Sequence, residues 1–139
     1  MQRPRFHLAF PVRDLAEARA FYGGVLGCPE GRSAEDWVDF DLHGHQIVAH
    51  LAPGEVGEVG VNAVDGENVP VRHFGLILAP ADWRALADRL RTAGTCFIIE
   101  PQVRFEGQPG EQSTMFVLDP SGNALEFKAF ADESMIFAK

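Results

Sequence analysis

Phe6, Leu8, Phe10 and Val12 alternate with Arg5, His7 and Ala9. That period of two predicts a strand with one large apolar face, its other face holding His7 beside a small neighbour. Asp14 reads as a helix N-cap, and Leu15, Ala18, Phe21, Tyr22 and Val25 then recur at helical spacing until Gly27 ends the run. Cys28 to Ser33 reads as a polar turn. Trp37 to Leu42 alternates again, with Asp39 and Asp41 on one face, and His43-Gly44 predicts a hairpin turn into a strand from Gln46 to Leu51. On that strand Gln46, Val48 and His50 face one way. Pro53 to Pro70 is the one long stretch without periodicity, and a connection of that length is a linker or a lid.

The pattern then starts again. In Val71 to Leu78, Phe74, Leu76 and Leu78 share one face, while His73 and Gly75 share the other, matching His7 and Ala9. Asp82 is placed to cap a helix bearing Trp83, Leu86, Ala87 and Leu90, closed by Gly94. Cys96–Ile99 and Thr114–Leu118 read as strands separated by a polar segment. Asp119-Pro-Ser-Gly-Asn123 is a turn, delivering a strand from Ala124 to Phe130 on which Glu126 opposes Leu125 and Phe127. The two histidines stand 66 residues apart and Gly27 and Gly94 stand 67 apart, which indicates an internal duplication. The expected organisation is one domain over residues 1–139, of class α+β. Module one spans 1–52, a connector 53–70, module two 71–130, and an unassigned tail 131–139.

Composition narrows the class of partner. A hydrophobic share of 46% and a charged share of 23% suit a globular chain, and no apolar run approaches the ~20 residues of a membrane helix. The net charge is −8, and the basic residues are scattered. The expectation is a small-molecule substrate, with neither nucleic acid nor membrane as partner. The start, MQRPRFHLAF, enters a strand pattern directly, and Cys28 and Cys96 lack metal or redox spacing. Both point to a cytoplasmic location.

Four side chains stand at matching places in the halves: His7 and His73 on the first strands, His50 and Glu126 on the last. Imidazoles with one carboxylate hold a divalent transition metal while leaving positions open for water or substrate. Taken singly, His7 or His73 is more often a hydrogen-bonded strand residue. As a matched pair, ligation is the better reading. Glu126, framed by apolar neighbours, is poorly suited to an unpaired carboxylate. For His50 a strand-end surface role and ligation weigh about equally. His43 and His45 flank a turn, and alternation points His45 away from the His50 face. Asp39 and Asp41 read as a solvated face; Trp37, Trp83 and Phe116 read as core.

The segments HLAFPVRDLAEARAFYGGVLG, HQIVAHL, HFGLIL and FVLDPSGNALEF resemble the vicinal oxygen chelate superfamily, which includes glyoxalase I, fosfomycin- and bleomycin-resistance proteins and extradiol dioxygenases. The resemblance covers nearly the whole chain. It implies paired βαβββ modules forming an open, cup-shaped mixed sheet with helices outside, and commonly a homodimer. It implies His7, His73 and Glu126 as ligands of Fe²⁺, Mn²⁺, Ni²⁺ or Zn²⁺, with His50 as a fourth ligand or the general base. His50 stands where glyoxalase I has a carboxylate, a departure from that enzyme's proton shuttle. His45 matches the region of the catalytic histidine of extradiol dioxygenases, but Phe116 stands near the position of their tyrosine. The expected function is a metal-dependent enzyme acting on a small oxygen-bearing molecule, with dioxygenase-like chemistry favoured. The alternatives are a glyoxalase-like lyase or isomerase, or a resistance-type protein of the same fold that binds without turnover.

Overall fold

The structure, a computed structural model, describes residues 3–57 and 60–139. It is α+β, and the chain divides into two compact units. Unit 1 holds residues 1–58 and 120–123; unit 2 holds 59–119 and 124–139.

Unit 1 is a βαβββ module. Its strands are β1 (His7–Val12), β2 (Glu30–Ser33), β3 (Trp37–Leu42) and β4 (His45–Leu51), in the order β1-β4-β3-β2. β1 and β4 run parallel, and the remaining pairs are antiparallel. The alternation in β1 is realised, with Phe10 and Val12 buried and His7 and Ala9 exposed. The helix α1 (Leu15–Val25) starts at Asp14, whose side chain accepts from the Glu17 N–H at 2.8 Å. After one α-turn it widens to π-helical geometry from Arg19 to Val25. This places the consecutive Phe21 and Tyr22 both in the core, where the Tyr22 ring lies 5.2 Å from Phe10, 4.9 Å from Phe21 and 5.6 Å from Phe40. The β3–β4 turn puts both His43 and Gly44 at positive φ, as a tight type I′ connection requires. The segment expected to be a polar turn ends instead in β2, an exposed edge strand. Its residues carry no apolar period because neither of its faces is buried. Within this unit Ser121 Oγ accepts from Arg13 N–H, and the Asn123 amide donates to the Pro11 carbonyl.

Unit 2 repeats the topology. Its strands β7 (His73–Ile77), β8 (Phe97–Arg104), β9 (Gln112–Leu118) and β10 (Ala124–Phe130) are ordered β7-β10-β9-β8, with β7 parallel to β10. Helix α2 (Pro80–Thr92) buries Trp83, Ala87 and Leu90 over the face of Leu125, Phe127 and Ala129, and Trp83 Nε1–H donates to the Phe127 carbonyl at 2.8 Å. The helix begins three residues earlier than expected, with Ala79 rather than Asp82 as its N-cap. Proline suits a first-turn position, so Pro80 opens it and Asp82 lies in the first turn rather than at the cap. β8 and β9 also reach further than expected, into the polar segment between them.

The connector contains structure of its own: a short 3₁₀ turn at Pro53–Glu55 and a hairpin of β5 (Val61–Val64) and β6 (Glu67–Pro70). Asp65 and Gly66 make its turn, both at positive φ. Val69 packs with Ile99 and Phe116, and Asp65 pairs with Arg104 at 3.2 Å. The hairpin thus covers part of the sheet face opposite α2. No helix among the described residues is long and apolar enough to cross a membrane.

Candidate functional site

On the face of unit 2 opposite α2, β7 and β10 bring His73 and Glu126 together. His73 Nε2 lies 3.4 Å from Glu126 Oε1. Each group is held from behind. His73 Nδ1 is 2.7 Å from the Pro70 carbonyl, which only accepts, so Nδ1 carries a proton and, in the neutral ring, the lone pair is on Nε2. Glu126 Oε2 accepts from the Thr114 hydroxyl at 2.6 Å, and Thr114 is 1% exposed. The Phe116 ring meets the imidazole edge-on, with centroids 4.9 Å apart. The strands approach closely here because Gly75 pairs with Glu126; a β-carbon on Gly75 would overlap the Glu126 carbonyl.

A lone pair and a carboxylate oxygen thus face each other. Their separation is longer than the ~2.7–2.9 Å of a charge-assisted N–H···O bond. Two ligands bound at ~2.0–2.1 Å with a tetrahedral angle between them stand about 3.4 Å apart. The pair therefore fits a divalent ion in both chemistry and spacing.

In unit 1, His7 is exposed and its Nδ1 lies 2.8 Å from Gln46 Oε1, while the Gln46 amide nitrogen donates to Asp39 Oδ2 at 3.3 Å. The carboxylate orients the amide, the amide oxygen takes the Nδ1 proton, and Nε2 is again the free nitrogen. Both first-strand histidines are set in the same tautomer by different partners. This arrangement borders a shallow depression of about 310 Å³ lined in part by Arg32, Asp39, Asp41 and Gln46. Asp39 is therefore more than the solvated residue expected, and Asp41 also has a partner, accepting from the Gly44 N–H.

His50 shares the sheet face of His7, since β1 pairs His7 with Gln46 and Pro11 with His50. Four residues separate Gln46 from His50, about 13 Å of strand. In unit 2 His73 pairs with Ala124, and Glu126 lies two residues on; the same step from Gln46 reaches Val48. Val48, not His50, occupies the position corresponding to Glu126. His45 Nδ1 accepts from the Phe6 N–H at 3.0 Å, tying down the chain just before β1. His43 serves the hairpin turn. Among the described residues no three His, Cys, Asp or Glu side chains form a group able to hold a metal.

The model of the Glyoxalase/Bleomycin resistance protein/Dioxygenase superfamily matches residues 6–127. The chain belongs to that superfamily. A comparison with curated proteins finds no match. Among solved structures, the superfamily protein from Alicyclobacillus acidocaldarius is 36% identical, with 96% of each chain covered and a TM-score of 0.81. The fold is shared at lower identity with a fosfomycin resistance protein from Listeria monocytogenes (17%, 98% of this chain and 100% of that one, TM-score 0.73). It is shared likewise with a lactoylglutathione lyase from Agrobacterium tumefaciens (18%, 99% and 98%, TM-score 0.67). Proteins named for different activities thus share this fold, and the chemistry of this one must be argued from its own side chains.

Pro70, Thr114, Gln46 and Asp39 were not singled out from the sequence as parts of the site. Thr114 left one trace, a hydroxyl residue opening the apolar run Met115–Leu118. The Pro70 carbonyl left none, because any residue carries a carbonyl.

Proposed function

We propose that this superfamily member is a metal-dependent enzyme acting on a small oxygen-bearing molecule. His73, Glu126 and His7 are its ligands, with His7 supplied by the same chain or by a second copy in a homodimer. A cytoplasmic location belongs to the same reading. One observation carries it: the His73 Nε2 lone pair, fixed by Nδ1–H donation to Pro70, faces Glu126 Oε1 at 3.4 Å.

The ion, Fe²⁺, Mn²⁺, Ni²⁺ or Zn²⁺, would polarise the substrate oxygens and stabilise charge developing on them. The chain's own groups do the rest. Thr114 keeps the Glu126 carboxylate oriented, and the Pro70 carbonyl and the Gln46–Asp39 pair engage Nδ1 of the two imidazoles, leaving Nε2 of each as the ligating nitrogen. We place His50 outside the ligand set, as a base for a substrate extending along the sheet; His45 already uses Nδ1 to hold Phe6. Dioxygenase-like chemistry is favoured over a glyoxalase-type isomerisation because Val48, which has no donor atom, stands where a second carboxylate would be needed.

Elemental analysis and Mn²⁺ titration of the purified protein test the reading. About one transition metal per chain is expected, lost in His73→Ala with the circular dichroism spectrum retained. A protein that binds none of the four ions, or a His73→Ala variant that keeps its metal, would overturn it.

A further inference from the structure

Lys128 stands two residues beyond Glu126 on β10, which puts both on the same face of the unit 2 sheet. Its strand partner in β9 is Thr114, the residue that orients Glu126, and Thr114 pairs in turn with Gln102 of β8. The next row carries Gln112 and Arg104. The floor beside the His73–Glu126 pair is thus lined with hydrogen-bond donors. Arg104 is paired with Asp65 of the hairpin, but Lys128 makes no ion pair among the described residues. Its Nζ lies 6.0 Å from the centroid of the Phe130 ring, and the residue is half-buried.

A half-buried ammonium without a counter-charge is unusual in a chain of net charge −8, where acids are plentiful. Only two lysines are present, Lys128 and Lys139, so this one is not part of a general basic coat. Phe130 stands two residues beyond Lys128 on β10, and Glu126 two residues before it. Two residues of strand separate the α-carbons of Glu126 and Lys128 by about 7 Å. With a divalent ion held by two neutral imidazoles and one carboxylate, the ligand set carries a net charge of +1. Lys128 adds a second positive charge along the same face.

We propose that Lys128 is the anchor of an anionic subsite: the substrate carries a carboxylate or similar anion several bonds from the oxygens that meet the metal. The amine, with Gln102 and Gln112 beside it, binds that group and aligns the molecule along β10. This inference rests on the proposed metal reading for the position of the other end of the substrate.

The test uses two probes of equal size, 3,4-dihydroxybenzoate and 3,4-dihydroxybenzamide, titrated calorimetrically onto the Mn²⁺-loaded protein and followed by amide chemical shifts on the metal-free protein. A charge-assisted contact predicts that the benzoate binds about tenfold more tightly than the amide. Lys128→Met, which retains the apolar stem, should abolish that preference without changing Mn²⁺ stoichiometry, and Lys128→Arg should restore it. Equal binding of the two probes by the wild type, or a preference that survives in Lys128→Met, overturns the inference. If the protein retains no Mn²⁺, the metal reading fails separately. The shift titrations on metal-free protein then decide Lys128 by the same two comparisons.

Discussion

Replacing Thr114 by valine removes one hydroxyl and nearly preserves side-chain shape. That hydroxyl donates to Glu126 Oε2 at 2.6 Å from a site only 1% exposed, while the Glu126 side chain retains 17% of its accessibility. Little water is available to replace the lost donor. A hydrogen bond to a charged group contributes about 1.5–3 kcal/mol, so urea unfolding should show a loss of that order at unchanged m-value. The carboxylate also loses its orientation towards His73, and loss of such an outer partner lowers metal affinity by about 10–100-fold. Competition titration with a fluorescent chelator measures this directly. Thr114→Ser keeps the donor and deletes a methyl group; it should cost about 0.5–1.5 kcal/mol of stability and leave metal affinity unchanged. The reasoning is refuted if Thr114→Val binds Mn²⁺ as the wild type does, or if Thr114→Ser loses as much affinity as Thr114→Val.

Two further outcomes follow from the geometry. Gln46→Leu removes the acceptor that holds His7 Nδ1–H and should lower metal affinity about tenfold with stability within about 0.5 kcal/mol of wild type; unchanged affinity would show that His7 needs no orienting partner. Gly75→Ala forces a β-carbon against the Glu126 carbonyl. Unfolding should show a loss of about 1–3 kcal/mol or more, with amide shifts concentrated on β7 and β10, and a wild-type midpoint would count against the close approach.

Much of the architecture was legible from periodicity. Residues whose two faces differ in polarity announce their strands, as in β1, β3 and β10, and Gly27 and Gly94 mark both helix ends at positive φ. The β2 strand and the β5–β6 hairpin were illegible for a common reason. All eight residues of β2 and β5 are exposed, so neither strand alternates between buried and exposed positions, and the hairpin's burial is concentrated at Val69 and Pro70. The hairpin did carry Asp65-Gly66, a turn dipeptide flanked by Val64 and Glu67, which was its available trace.

By itself the chain determined which face each histidine takes, because a strand of period two leaves no choice once its apolar face is buried. His7, His50, His73 and Glu126 are each on the face that alternation assigns them. Tertiary structure alone decided the register between β1 and β4 and between β7 and β10, since that depends on pairing between segments roughly 40 and 50 residues apart rather than on local pattern. Register brings Glu126 to His73, sets Val48 in the corresponding place of the other unit, and leaves His50 farther along the strand. Strand pairing likewise brings the Gln46 amide to His7 and, between β9 and β10, the Thr114 hydroxyl to Glu126, whereas the Pro70 carbonyl reaches His73 from three residues earlier in the same segment.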